Sequence, residues 1–165
     1  MNERSFATKF RGELRETLNA RGTNHHLVTL YDAPRSGKKV YDSYMLIQAT
    51  GARESRFMAI EFKSTKNASV SRSLPTDRQL VALEEVHEAG GSGWVIVHLT
   101  RTNQVLIVHA QIWNDLFGNF KSITIESLQD CQNSFLFLVD REKCLKVGGK
   151  MSTRWNLKEW LDNVE

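Results

Sequence analysis

A chain of 165 residues, 41% hydrophobic and 25% charged, has the length and composition of one globular domain, which excludes wholesale disorder. Its formal charge of +3 has the sign that nucleic acid attracts, but it is too small to identify a nucleic-acid binder. No apolar run approaches the roughly 20 residues that span a bilayer. Met1-Asn2-Glu3-Arg4 lacks the apolar stretch of a signal peptide, and Cys131 and Cys144 offer neither a disulfide framework nor a CxxC metal site, so a reducing cytoplasm is expected.

Phe6, Phe10, Leu14 and Leu18 recur every fourth residue, which predicts a helix with one apolar stripe ending near Gly22. Leu27 to Tyr31 reads as a first strand. The loop over residues 32–39 gathers Pro34, Gly37 and the cations Arg35, Lys38 and Lys39. A second strand is predicted over residues 41–50, turning at Gly51, and a third over residues 56–64, rich in β-formers. Residues 66–74 are polar and without periodicity, which predicts a flexible loop. Beyond Pro75 and Thr76 the apolar positions Leu80, Leu83, Val86 and Ala89 predict a helix, closed by Gly90-Gly91. Residues 94–99 form a short apolar run of the kind that makes a buried strand. Arg101-Thr102-Asn103 turns into a further strand at Val105, residues 110–117 are helical, residues 135–139 extended, and residues 157–164 a terminal helix. With no repeat or linker, one α/β domain accounts for residues 1–165.

The chemistry concentrates in Arg56-Phe57-Met58-Ala59-Ile60-Glu61-Phe62-Lys63. Alternate strand residues share a face, so Glu61 and Lys63 point one way while Met58, Ile60 and Phe62 point the other. A carboxylate on a buried strand needs a cation, and Lys63 by itself supplies one, which is the bland account of the pair. Asp42 lies 19 residues earlier, at the start of the preceding strand, and an antiparallel return would bring it to the same sheet end. Two carboxylates are hard oxygen ligands suited to Mg²⁺, which keeps waters and takes substrate phosphate. Gln79, in the first turn of the next helix, is placed to hold a phosphate or a water. Thr76-x-x-Gln79 equally spells a capping box, and the sequence leaves both readings standing. Lys38, Lys39, Lys66, Arg72 and Arg78 flank these positions as candidate DNA-phosphate contacts.

The run Tyr41-Asp42, Ile60-Glu61-Phe62-Lys63, Gln79, Gly90-Gly91 and Val95-Ile96-Val97 resembles the PD-(D/E)xK nuclease core. With Ser64-Thr65-Lys66-Asn67, the Leu74-Pro75 step and Asn103-Gln104-Val105, it is most similar to RecU-type Holliday-junction resolvases. The likeness covers residues 5–125 or so, leaving 126–165 as a C-terminal extension. It implies a restriction-endonuclease-like α/β core, a central mixed β-sheet flanked by helices. It also implies a magnesium-dependent endonuclease acting on four-way DNA junctions as a homodimer, in a bacterial cell or phage-infected host, with Mn²⁺ able to substitute. Asp42, Glu61, Lys63 and Gln79 would be catalytic, and Asp42 and Glu61 would hold metal. The family often carries a metal-proximal glutamate on its first helix. Of Glu13 and Glu16, Glu13 borders the Phe10/Leu14 stripe and is the candidate, while Glu16 turns toward solvent. The chain departs from the pattern in having Val40 and Tyr41 where the superfamily's proline is expected, and in a long Asp42-to-Glu61 connection that leaves Asp32 as a rival ligand. A restriction- or repair-type duplex nuclease and a silent DNA-binding module are the competing readings.

Other motifs carry less. Ser36-Gly37-Lys38-Lys39 lacks the upstream glycine and following Ser/Thr of a phosphate loop. His25, His26, His87, His98 and His109 lack metal-site spacing, with His98 and His109 expected at strand ends. Trp94, Trp113, Trp155 and Trp160 are expected in the core, with base stacking as the alternative.

Overall fold

The computed structural model describes residues 1–30, 41–48, 55–131, 133–145 and 151–164. The predicted first helix is α1 (Glu3–Ala20), its N-terminus capped by the Asn2 side chain, which accepts from the Ser5 amide at 2.8 Å. Phe6, Phe10, Leu14 and Leu18 are all fully buried, as their spacing requires, and the helix gives way at Gly22, whose φ of 69° suits a residue without Cβ.

Strands β1 (His25–Thr29), β2 (Ser43–Ile47) and β3 (Arg56–Thr65) form an antiparallel meander. The second strand is shorter than the periodicity suggests. The cationic loop with Arg35, Lys38 and Lys39, the rival ligand Asp32 and the turn at Gly51 lie outside the described residues. Residues 66–74 are not a featureless loop: β4 (Ser69–Ser71) pairs antiparallel with β7 (Ser122–Thr124) and buries Val70. One apolar residue among serines is too weak a signal for a strand whose partner lies about fifty positions away.

Helix α2 (Asp77–Glu88) carries the chain from β3 to β5 (Ser92–Leu99), which runs parallel to β3, as a strand–helix–strand crossover must. A hairpin at Asn103 (φ 56°) leads into β6 (Gln104–His109), followed by α3 (Ala110–Phe117), α4 (Ile125–Gln129) and β8 (Leu136–Val139). The six-stranded mixed sheet has the order β1-β2-β3-β5-β6-β8. The hairpin β9 (Arg141–Leu145) and β10 (Met151–Trp155) and helix α5 (Lys158–Val164) end the chain.

Each sheet face has its own core. On one, Met58, Ile60, Phe62, Trp94 and Ile96 meet α1 and the aromatic tail Trp155, Leu157, Trp160 and Leu161. On the other, Ala59, Val95 and Val97 meet Leu80 and Leu83 of α2 and Trp113 and Phe117 of α3. This is a mixed α/β fold with a central sheet flanked by helices. The residues read as an extension belong to it: β8 is a sheet strand and the tail fills the α1 face. All four tryptophans are at most 3% exposed, which makes them core residues and removes a base-stacking role.

Gly93 sets how closely α2 approaches β5. A Cβ there would lie 2.4 Å from the Leu83 carbonyl oxygen, a clash neither backbone can relieve by a rotamer change. Gly93→Ala should therefore destabilise the fold by about 2 kcal/mol or more in urea unfolding, whereas Gly12→Ala, which meets nothing within 4 Å, should not.

Candidate active site

The alternation of β3 places Glu61 and Lys63 on the α2 face, opposite the apolar trio Met58, Ile60 and Phe62. The Glu61 side chain is 2% exposed, and its Oε1 receives the Lys63 ammonium at 2.7 Å and the Gln79 amide Nε2 at 2.5 Å. Its second oxygen, Oε2, is buried and has no hydrogen-bond partner among the described residues. The capping box spelled by Thr76-x-x-Gln79 is present, and the same Gln79 side chain also reaches Glu61. Its Oε1 accepts from the Thr76 amide at 2.9 Å, completing a capping box, while its Nε2 turns to Glu61.

Asp42 arrives from the far side of the meander. Its backbone extends the sheet by one residue, with Leu30 N donating to Asp42 O at 2.9 Å and Asp42 N donating to Ile60 O at 3.0 Å. Pairing of β2 with β3 stops at Ser43↔Ile60, and the next amide on that side, Phe62 N, donates instead to Asp42 Oδ2 at 2.8 Å. Asp42 is thereby fixed next to Glu61 along β3.

Glu13, the first-helix candidate, is bonded to the C-terminal part of the chain. Glu13 is 12% exposed and uses both oxygens elsewhere: Oε1 takes Arg141 Nη1 at 3.3 Å and Oε2 takes the Trp155 amide at 2.9 Å. It ties α1 to the β9–β10 hairpin. Glu16 is exposed, as its phase predicts. Glu3 is the helix residue whose charge is felt at Glu61. A helix of 18 residues is about 27 Å long, so only one end can reach a given site. Stripe phase does not say which end, and a first-turn glutamate has an ordinary explanation in the helix dipole.

The flanking cations divide. Lys66 and Arg78 are exposed beyond β3 and on the first turn of α2. Arg72 is braced onto α3, donating to Asn114 Oδ1 at 3.1 Å and Gly118 O at 3.2 Å, while Lys38 and Lys39 lie outside the described residues. His98 and His109 sit near or at strand ends but are buried among aromatics, with burial lowering both pKa values, that of His109 to about 4.

No protein-family model matches the chain, and no curated protein does. Among solved structures it is similar to Hjc, a Holliday junction resolvase from Archaeoglobus fulgidus, at a TM-score of 0.43 and 20% identity, covering 72% of this chain and 88% of that one. It is also similar to D212, a nuclease from a fusselovirus, at a TM-score of 0.46 and 11% identity, covering 98% and 89%. Likeness at this level transfers no function to this chain.

The electrostatics of the site are its own. Burial pushes the Glu61 carboxyl up to about 7, the Asp42 charge adds to the rise, Lys63 opposes it, and Glu3 adds a smaller upward push. The fold therefore resists ionising Glu61 even with an ammonium beside it. Among the described residues no three His, Cys, Asp or Glu side chains are grouped to hold a metal by themselves. Two carboxylates with one unpartnered buried oxygen nevertheless suit a cation that keeps waters of its own.

A carboxyl raised from 4.5 to about 7 binds more protons folded than unfolded across that interval, so its contribution to stability is present below pH 4.5 and lost as pH rises through 7. Glu61→Gln should abolish this slope. Thermal melts in EDTA should show the variant matching the wild type near pH 5 and exceeding it at pH 8; a less stable variant at pH 8 would mean the Lys63 ion pair outweighs the cost of burial.

Proposed function

We propose that this chain is a magnesium-dependent, structure-specific DNA endonuclease with a restriction-endonuclease-like fold, resolving four-way junctions by phosphodiester hydrolysis. The reading rests on one observation. A buried glutamate has one oxygen held by Lys63 and Gln79 and the other buried without a partner, and the neighbouring Asp42 carboxylate raises its pKa. A structural ion pair has no need of a second carboxylate that opposes it. The ordering Asp42, Glu61-x-Lys63 and then Gln79 on the following helix is that of RecU-type PD-(D/E)xK resolvases.

Asp42 and Glu61 would hold Mg²⁺ or Mn²⁺, with Glu3 replacing Glu13 as the first-helix carboxylate. When bound, such an ion supplies Lewis acidity, lowering the pKa of water and offsetting charge on the phosphoryl group. The side chains supply the rest. Gln79 and Lys63 hold one oxygen of Glu61, which fixes Oε2 as the available donor. The Phe62 amide orients the Asp42 carboxylate beside it. Lys63 orients the attacking water and balances negative charge gathering on the phosphate oxygens as the water oxygen bonds to phosphorus and the bridging oxygen leaves. Lys66 and Arg78, on the approaches, contact backbone phosphates without reading bases. A two-fold homodimer would present two such sites to opposed strands of a junction.

Cleavage of a synthetic four-way junction, compared with linear duplex and flap DNA, tests the proposal. Cutting should need Mg²⁺ or Mn²⁺, and Asp42→Asn, Glu61→Ala and Lys63→Ala should each lower the rate by about 100-fold or more while junction binding in EDTA persists. A Glu61→Ala variant that cuts at the wild-type rate would end the reading, and equal cutting of linear duplex would shift it to a restriction- or repair-type nuclease.

The two helix glutamates separate by metal binding without turnover. Calorimetric titration with Mn²⁺ should find affinity about 10-fold weaker in Glu3→Gln and unchanged in Glu13→Gln. Glu13→Gln should instead lower the melting temperature, because its ion pair with Arg141 is removed.

A further inference from the structure

Beside the small β4–β7 sheet the chain holds an aromatic ring out in solvent. Phe120, in the turn between α3 and β7, is 74% exposed, more than any other large hydrophobic residue described. The turn itself is fixed. Phe120 N donates to Phe117 O at 2.8 Å, and the carbonyl of the next residue, Lys121, accepts from the Arg72 amide at 2.9 Å. A single exposed apolar residue is ordinary on a protein surface, so its neighbours decide what it does.

Phe120 lines a cleft of about 550 Å³ together with Arg72, Lys121, Asp77 and Leu80, a size common among ligand sites. The Arg72 carbonyl accepts from Trp113 Nε1 at 2.8 Å, and its guanidinium donates to Asn114 Oδ1 at 3.1 Å and Gly118 O at 3.2 Å. Both acceptors are neutral, and among the described residues no carboxylate forms an ion pair with Arg72. The bonds therefore orient the guanidinium without cancelling its charge, which leaves that charge for an anion. Lys121 is exposed, and its ammonium has no partner among the described residues. Against these two cations stands one acid, Asp77, so the cleft carries a net charge of +1. Leu80, 5% exposed, gives it an apolar wall.

The cleft lies about one helix width from Glu61. Helix α2 contributes to both places: Gln79 reaches Glu61, while Asp77 and Leu80 line the cleft. At about 3.6 residues per turn, Leu80 and Asp77 point about 100° and 160° round the axis from Gln79, which puts the helix body between the two places. Its width of about 10 Å matches about three steps of a DNA strand at about 3.4 Å each.

We infer that this cleft holds one unpaired nucleotide of a DNA strand a few steps from the site of cleavage, its base stacked on Phe120 and its phosphate on Arg72 and Lys121. The inference rests on DNA being the substrate, as proposed above, but not on catalysis. Uncancelled positive charge complements a phosphate and an exposed ring complements a base face, and a nucleotide carries both. In intact duplex the faces of each base are covered by its neighbours, so only an unstacked base can lie on the ring. Phosphate contacts by Lys66 and Arg78 serve any DNA alike. The cleft adds a preference for DNA with open bases, which distinguishes a branch point from a duplex arm.

The test uses the full chain in EDTA and a fluorescent duplex, either intact or carrying a short single-stranded gap, with dissociation constants measured across a salt series. Phe120→Ala should bind the gapped duplex about 10-fold more weakly and the intact duplex unchanged, and Phe120→Trp should restore gapped binding to within about twofold of the wild type. Lys121→Gln should make the slope of log K against log salt shallower by about 0.7 on the gapped duplex alone. Arg72 is left in place because its bonds also hold α3. Both substituted side chains are exposed, and melting temperatures within about two degrees of the wild type would verify the fold. Equal affinity of wild type and Phe120→Ala for the gapped duplex, or an equal loss on both DNAs, would overturn the cleft while leaving the nuclease reading intact. If Phe120→Ala turns a dimeric wild type into a monomer in sedimentation, with gapped binding unchanged, the ring covers a second copy and the inference fails likewise. A wild type that favours gapped DNA through Phe120 but cuts no DNA in Mg²⁺ would leave the cleft standing and remove the nuclease reading. A wild type that binds neither DNA overturns both.

Discussion

The constraint on which the site depends is a carboxylate placed where water cannot solvate it. Glu61 occupies the middle of the sheet, between β2 and β5, and is 2% exposed. A charge in such a place is tolerated only when paired and hydrogen-bonded, and Lys63 and Gln79 satisfy one of its oxygens. The other oxygen is unsatisfied among the described residues, and Asp42 raises rather than lowers the cost of ionisation. A sheet selected for stability alone would carry an apolar residue at this position, as it does at Ile60 and Phe62 on the other face.

That placement requires the helix above it to be held in register. Helix α2 is the crossover that makes β3 and β5 parallel, so a shift of its first turn would move Gln79 off Glu61 and disturb the sheet joint together. The capping box prevents such a shift. The oxygen of Gln79 closes the helix end on Thr76, and with that oxygen committed, the amide nitrogen is the atom left to face Glu61. Capping and site-building are thus one arrangement of one side chain. Midway along the helix, the close approach of Leu83 to Gly93 fixes the distance of α2 from the sheet.

The sequence made legible what is periodic or local. The helix stripe of Phe6 to Leu18, the alternation that sorts Glu61 from Phe62, the apolar run of β5 and the Thr76–Gln79 box are each readable within a dozen residues, and the structure contains them all. The separations that defeated the reading are long. Val70 becomes part of a strand only because Ile123 pairs with it, and Arg141 is bound by Glu13 across 128 positions. The helix glutamate shows the difference best. Phase on the stripe is a property of α1 alone and singles out Glu13, while position along the axis depends on how α1 lies across the sheet. That in turn follows from Trp155 and Trp160, at the far end of the chain, packing against Phe10.

The C-terminal residues consequently do two jobs that the sequence does not announce. Their aromatic side chains complete the core beneath α1, and Arg141 and the Trp155 amide engage Glu13 on that helix. Glu13 marks the division. Engaged by Arg141 and by the Trp155 amide, it cannot also serve a cation beside β3, so the carboxylate nearest Glu61 on this helix is one from its first turn. A divalent ion there would relieve the like-charge opposition that Asp42 and Glu3 impose on Glu61 and would satisfy Oε2, so it should bind the ionised site far better than the protonated one. Were such an ion to bind, its binding and the deprotonation of Glu61 would be one coupled equilibrium, and the stability lost with rising pH in the metal-free protein would be returned.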